Sequence, residues 1–148
     1  MTSAIVSSLH VLALALGLPA VFLRGRALKG ALDADGLRRL LAADNVWGLA
    51  AVLWIVTGLL RAFGGLEKGT EFYLQSRLFW VKMALFAVLL LLEIRPMITF
   101  IRWRTQLGRG QSVDTSPARI LYTINHVELA IVVIMVFVAS LMARGFGH

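Results

Sequence analysis

His10, Lys82, Glu93, Asn125, His126 and Glu128 are the residues best placed for chemistry, because each falls within a long apolar run. An ionisable side chain inside hydrocarbon costs roughly 3 kcal/mol or more unless it is paired or hydrated, so such residues are expected to face other helices. Lys82 and Glu93 are eleven residues apart. At about 100° per residue they return almost to the same helix face, and Lys82, Phe86, Leu89 and Glu93 form one stripe. Asn125 and Glu128 share a face, whereas His126 and Glu128 are about 200° apart and cannot both point at a bundle axis. Glu93 and Glu128 are positioned to share a proton or to pair with Arg95.

Two histidines on membrane helices suggest haem ligation, since neutral imidazole binds iron and a flat macrocycle fits between helices. Depth opposes a bis-histidine site. His10 and His126 each lie about 9 Å from opposite faces of a core about 30 Å thick, leaving about 12 Å between their levels. His10 alone, or His10 with Met135 opposite, is the easier arrangement, with Lys82 or Arg26 meeting the propionates and His10 as the metal ligand. Trp47 and Trp54 lie on a second-span seam with Asp44, Ala51, Gly58 and Arg61, where a tryptophan can stack on a flat ligand or serve only as an anchor. Arg61, Arg95 and Asp44 lie close enough to span ends to snorkel into water. No HxxH or HExxH spacing points to zinc or di-iron, and the absence of cysteine excludes thiolate ligands and covalent haem attachment.

The elements that carry these residues follow from hydropathy. With 59% hydrophobic residues, 16% charged and a mean hydropathy of +0.80, the 148-residue chain is too apolar for an ordinary soluble domain. It reads as one integral membrane domain, 1–148, with spans at about 4–23, 46–63, 78–101 and 120–143. The first span lacks a preceding basic segment and is taken as a retained helix, bent at Pro19. A short interfacial helix is expected at 33–44, capped by Asp33 or Asp35 and running into the second span. Tyr73 and Trp80 flank the start of the third span as belt aromatics would.

The net charge of +7 belongs to short connections and implies topology, not nucleic-acid binding. Five basic residues (Arg24, Arg26, Lys29, Arg38, Arg39) fall in the first connection and four in the third (Arg102, Arg104, Arg109, Arg119), against Lys68 and Arg77 in the second. The expected fold is therefore an all-α, up-down-up-down four-helix bundle in a bacterial cytoplasmic membrane, with both termini outside.

Over nearly its whole length the chain resembles a family of small bacterial four-helix membrane proteins of unknown function, through SLH at 8–10, TGLLR at 57–61, FYL at 72–74, LFWVKMALF at 78–86 and LMARGFG at 141–147. More distantly it is similar to the HemJ-type protoporphyrinogen oxidases, through Leu9 and His10, Arg26 or Arg24, Trp80 and Lys82, and Asn125. That resemblance implies a haem b protein whose substrate is a porphyrin or quinone. The chain departs from it where Glu93 and Ile94 replace a histidine pair and His126 replaces an acid. Two other functions fit the residues. One is a proton-coupled carrier using Glu93, Glu128 and His126, which with only four spans would work as a homodimer. The other is a membrane assembly subunit without chemistry.

Overall fold

The computed structural model describes residues 1–66 and 69–147, so Lys68 of the charge count lies outside the described residues. Apolar runs without glycine or proline clusters produce four long helices: α1 (Thr2–Lys29), α2 (Ala34–Phe63), α4 (Arg77–Gly108) and α5 (Ala118–Ala143). A single short helix, α3 (Thr70–Gln75), precedes α4. There is no strand among the described residues, and all four long helices are long and apolar enough to cross a membrane.

The helices outrun the apolar spans. At about 1.5 Å per residue, the 32 residues of α4 extend about 48 Å against a hydrocarbon core of about 30 Å. Hydropathy marks where a helix must be apolar, not where its backbone stops bonding. Arg24, Arg26, Lys29, Arg38, Arg39, Arg102 and Arg104 are thus helical residues, and the first loop shrinks to 30–33. The expected interfacial helix is the first part of α2, continuous with its span. The Asp33 carboxylate caps it by accepting from the Gly36 N–H at 2.8 Å. Pro19 and the buried Pro96 both sit inside continuous helices. Before α5, Asp114 accepts from the backbone N–H and the hydroxyl of Ser116, both at 3.0 Å, and these bonds hold its carboxyl below the usual carboxylate range.

Packing is unequal around the bundle. α1 is central, lying along α2 and against α5, and α5 lies against α4, whereas α2 and α4 barely approach each other. Close approach of α1 and α2 depends on small residues: a Cβ on Gly17 would lie 3.3 Å from that of Ala50. The apolar interior falls into three clusters. Val21, Trp47, Leu89, Val132 and Met135 fill the middle. Leu28, Leu40, Phe100, Trp103 and Leu121 close the end bearing the 30–33 and 109–117 loops, here called the loop end. Ala62, Tyr73, Phe79 and Met142 close the other, terminal end, where the Arg77 N–H also donates to the Gly147 carbonyl at 2.8 Å.

The two expected belt aromatics part company here. Tyr73 is buried, because α3 folds it under the mouth of the bundle, while Trp80 is exposed and donates to the Leu74 carbonyl at 3.0 Å. Replacing Asp33 with alanine removes the α2 cap and is expected to cost about 1 kcal/mol, read as a lower thermal midpoint in detergent without loss of helicity by circular dichroism.

Candidate functional site

Two polar regions occupy the interior, one towards each end. The loop-end region is built on Arg24. The buried residues of α1 run Val6, Ala13, Gly17, Ala20, Val21, Arg24, Gly25 and Leu28, so helical spacing turns the Arg24 side chain into the bundle. It has no exposed surface, and all five of its N–H groups are used. Nε donates to Asn125 Oδ1 at 2.7 Å. Nη1 donates to Asp44 Oδ1 at 2.9 Å and Glu93 Oε1 at 2.8 Å. Nη2 donates to Glu93 Oε2 at 3.0 Å and Glu128 Oε2 at 2.5 Å. Every long helix contributes: Arg24 from α1, Asp44 from α2, Glu93 from α4, and Asn125 and Glu128 from α5.

Surrounding residues hold this arrangement. The rings of Trp47 and Phe100 lie 5.6 and 5.7 Å from the guanidinium carbon, giving the cation apolar cover with favourable quadrupoles. Asn125 Nδ2 donates to the Val21 carbonyl at 2.9 Å, which fixes its oxygen towards Arg24. That bond needs glycine opposite, since a Cβ on Gly25 would come within 2.6 Å of Asn125 Nδ2. Outside the core, Arg104 donates to Asp44 Oδ2 and Asn45 Oδ1, both at 2.8 Å.

Several expectations are corrected by this geometry. Asp44 does not snorkel; it bridges two arginines. Trp47 is no interfacial anchor, being 5% exposed beneath Arg24. Glu93 and Glu128 pair with Arg24 and not with Arg95, which is exposed. His126, expected in one inner polar layer with Glu93, Asn125 and Glu128, stands apart from them. It is exposed, packs tilted against Tyr122 with ring centroids 4.1 Å apart, and its Nδ1 lies 2.9 Å from the Tyr122 carbonyl. The 200° separation from the buried Glu128 requires this.

The terminal-end region is a cavity of about 320 Å³ between α2 and α4, floored by α1 and α5. His10, Trp54, Gly58, Arg61, Lys82, Phe86 and Met135 all line it, so the inward stripe of α4 and the seam of α2 face the same space. Gly58 makes room for the imidazole: a Cβ there would lie 3.4 Å from His10 Cε1. Trp54 lies beside it, with ring centroids 5.8 Å apart. His10 Nδ1 is 2.8 Å from Thr57 Oγ1, and the Thr57 hydroxyl spends its one proton on the Leu53 carbonyl at 2.6 Å. Towards His10 the hydroxyl therefore accepts, which places the imidazole proton on Nδ1 and the lone pair on Nε2.

Two residues expected beside His10 are elsewhere. Arg26 is exposed, sixteen residues or about 24 Å further along α1. Trp80 faces outward. Among the described residues no three histidine or acidic side chains converge as a metal site.

The chain matches, over residues 2–147, the model of a family described as predicted membrane protein (DUF2214). It belongs to that family. No curated protein and no solved structure matches it. The family is one of membrane proteins of unknown function, so the chemistry of this member has to be argued from its two polar regions.

Sequence reasoning found Glu93, Asn125 and Glu128 but missed Arg24 as their common partner, and the continuing spacing of 13, 17, 20, 24 and 28 along α1 is the signal that locates it. Replacing Arg24 with methionine leaves the half-buried Glu93 and the buried Glu128 without their cation and is expected to destabilise by about 3–5 kcal/mol. Arg24→Lys should recover little of this in a thermal unfolding assay, because an ammonium has three donors and no planar fork.

Proposed function

We propose that this protein binds a b-type haem or a related porphyrin in the terminal-end cavity, with His10 Nε2 as the axial ligand. The observation that carries the reading is the Thr57–His10 hydrogen bond at the cavity wall. Metal-binding histidines almost always donate their second ring N–H to a fixed acceptor, which sets the tautomer and raises the basicity of the ligating nitrogen.

The remaining lining fits the same group. The cavity volume is at the lower end of the range for ligand sites, and its open side between α2 and α4 lets the edge of a macrocycle extend past the helices. Trp54 and Phe86 offer apolar contacts to a ring, and Met135, in the same lining, would supply a thioether as a second ligand. Lys82 and Arg61 place cations at the wall, where carboxylates of a porphyrin are stabilised. Bound there, a haem supplies one-electron chemistry, as in oxidation of a porphyrinogen or a quinol. The protein would orient it and exclude water. The likeness to the HemJ-type oxidases in Leu9, His10, Lys82 and Asn125 supports this assignment; the basic loop end favours, separately, a bacterial cytoplasmic membrane with the termini outside. The carrier reading loses support, since His126 stands apart from Glu93 and Glu128.

Purification in mild detergent from haem-fed cells is expected to give a Soret band that disappears in His10→Ala and returns when imidazole is added. Absence of the band in the unmodified protein would overturn the proposal. Thr57→Val keeps the volume but removes the acceptor, and should weaken haem binding about 10–100-fold in a titration.

A further inference from the structure

The Arg24 region lies outside the terminal-end cavity and carries a charge problem of its own. Asp44, Glu93 and Glu128 bring three negative charges to a site where Arg24 and Arg104 bring two positive ones. Glu128 meets Arg24 from α1 and shares its Nη2 with Glu93 from α4; Asp44 from α2 and Asn125 from its own helix join the set through the other nitrogens of Arg24, and Arg104 joins it through Asp44. Asp44 has both oxygens bonded to arginines, and Glu93 holds Arg24 with both of its own. Glu128 differs. It is wholly buried, only Oε2 reaches Arg24, and Oε1 has no hydrogen-bond partner. Glu93 and Glu128 also accept from the same nitrogen, Arg24 Nη2.

An uncompensated charge so far from water is costly, and an unpartnered carboxylate oxygen adds to the cost. A metal ion is a poor remedy, because no metal-holding group of acids exists among the described residues. We propose that Glu128 is a proton-binding site, its proton lying on Oε1 beside Glu93, so that the region is electrically balanced with Arg24 and Arg104 as its two cations. Exchange with water has a route through Glu93, the carboxylate held by the same Arg24 nitrogen: Glu128 has no exposed side-chain surface, whereas Glu93 has 22%.

The test uses the intact protein in detergent, by infrared spectroscopy at neutral pH in H2O and in D2O. The expected result is a carbonyl band of a protonated carboxylic acid that shifts in D2O and is missing in Glu128→Gln. In parallel, Glu128→Gln, which imitates the protonated acid, should keep its thermal midpoint within about 3 °C of the parent, whereas Glu93→Gln should fall by more than about 5 °C. The infrared measurement on the parent decides the matter even if a variant fails to fold. No acid band in the parent, or a loss in Glu128→Gln equal to that in Glu93→Gln, would overturn the proposal. So would a parent without the band whose midpoint rises in sodium chloride but not in choline chloride, since the balancing charge would then be a bound cation.

Discussion

Burying one guanidinium on α1 imposes five directional demands at a single point, and the three other long helices meet them together. Lipid tails are as apolar as leucine, so apolar contact alone gives membrane helices little reason to prefer one register over another. A shift of α4 or α5 by one residue turns Glu93 or Glu128 by about 100° and takes it away from Arg24. The bonds from Arg24 to Asp44, Glu93, Asn125 and Glu128 therefore set the height and rotation of α2, α4 and α5 against α1. A buried ion pair need not add net stability, but losing a partner from it is costly, and that asymmetry favours one packing over its neighbours.

Fixing the bundle at that level leaves the terminal end free to open. α2 and α4 hardly touch, and the space between them holds His10, Lys82 and Met135. Below it, the cluster of Trp47, Leu89, Val132 and Met135 separates the cavity from the charged region. The two polar regions are thus divided by an apolar layer, the arrangement expected where one end receives a hydrophobic ligand and the other holds the helices together. The glycines serve both regions by admitting a polar group close to a backbone: Gly58 for the His10 ring and Gly25 for the Asn125 amide.

Much of this was legible in the sequence for a simple reason: helical periodicity and the cost of charge in hydrocarbon both act locally. They identify the four apolar helices, the inward stripe from Lys82 to Glu93, and the opposition of His126 to Glu128. What they miss concerns partners and ends. Arg24 follows the last strongly apolar residues of its span and resembles a loop cation, because hydropathy does not show that α1 continues to Lys29 with the same face inward. Asp44 is hidden in the same way near the beginning of the second span. Arg26 and Trp80 are misplaced for the converse reason, since each sits on a helix of interest but on the face turned away, and only the packing of α1 and α4 against α5 decides that.

Arg24 ties the helices together through its acids, and a double-mutant cycle between Arg24→Met and Glu93→Met, followed by unfolding in lipid nanodiscs, measures that tie. The two changes together should be much less damaging than their separate effects predict, with a coupling of about 2 kcal/mol or more. Strict additivity would mean that the guanidinium and the carboxylate do not act on each other in the membrane, and would contradict the account.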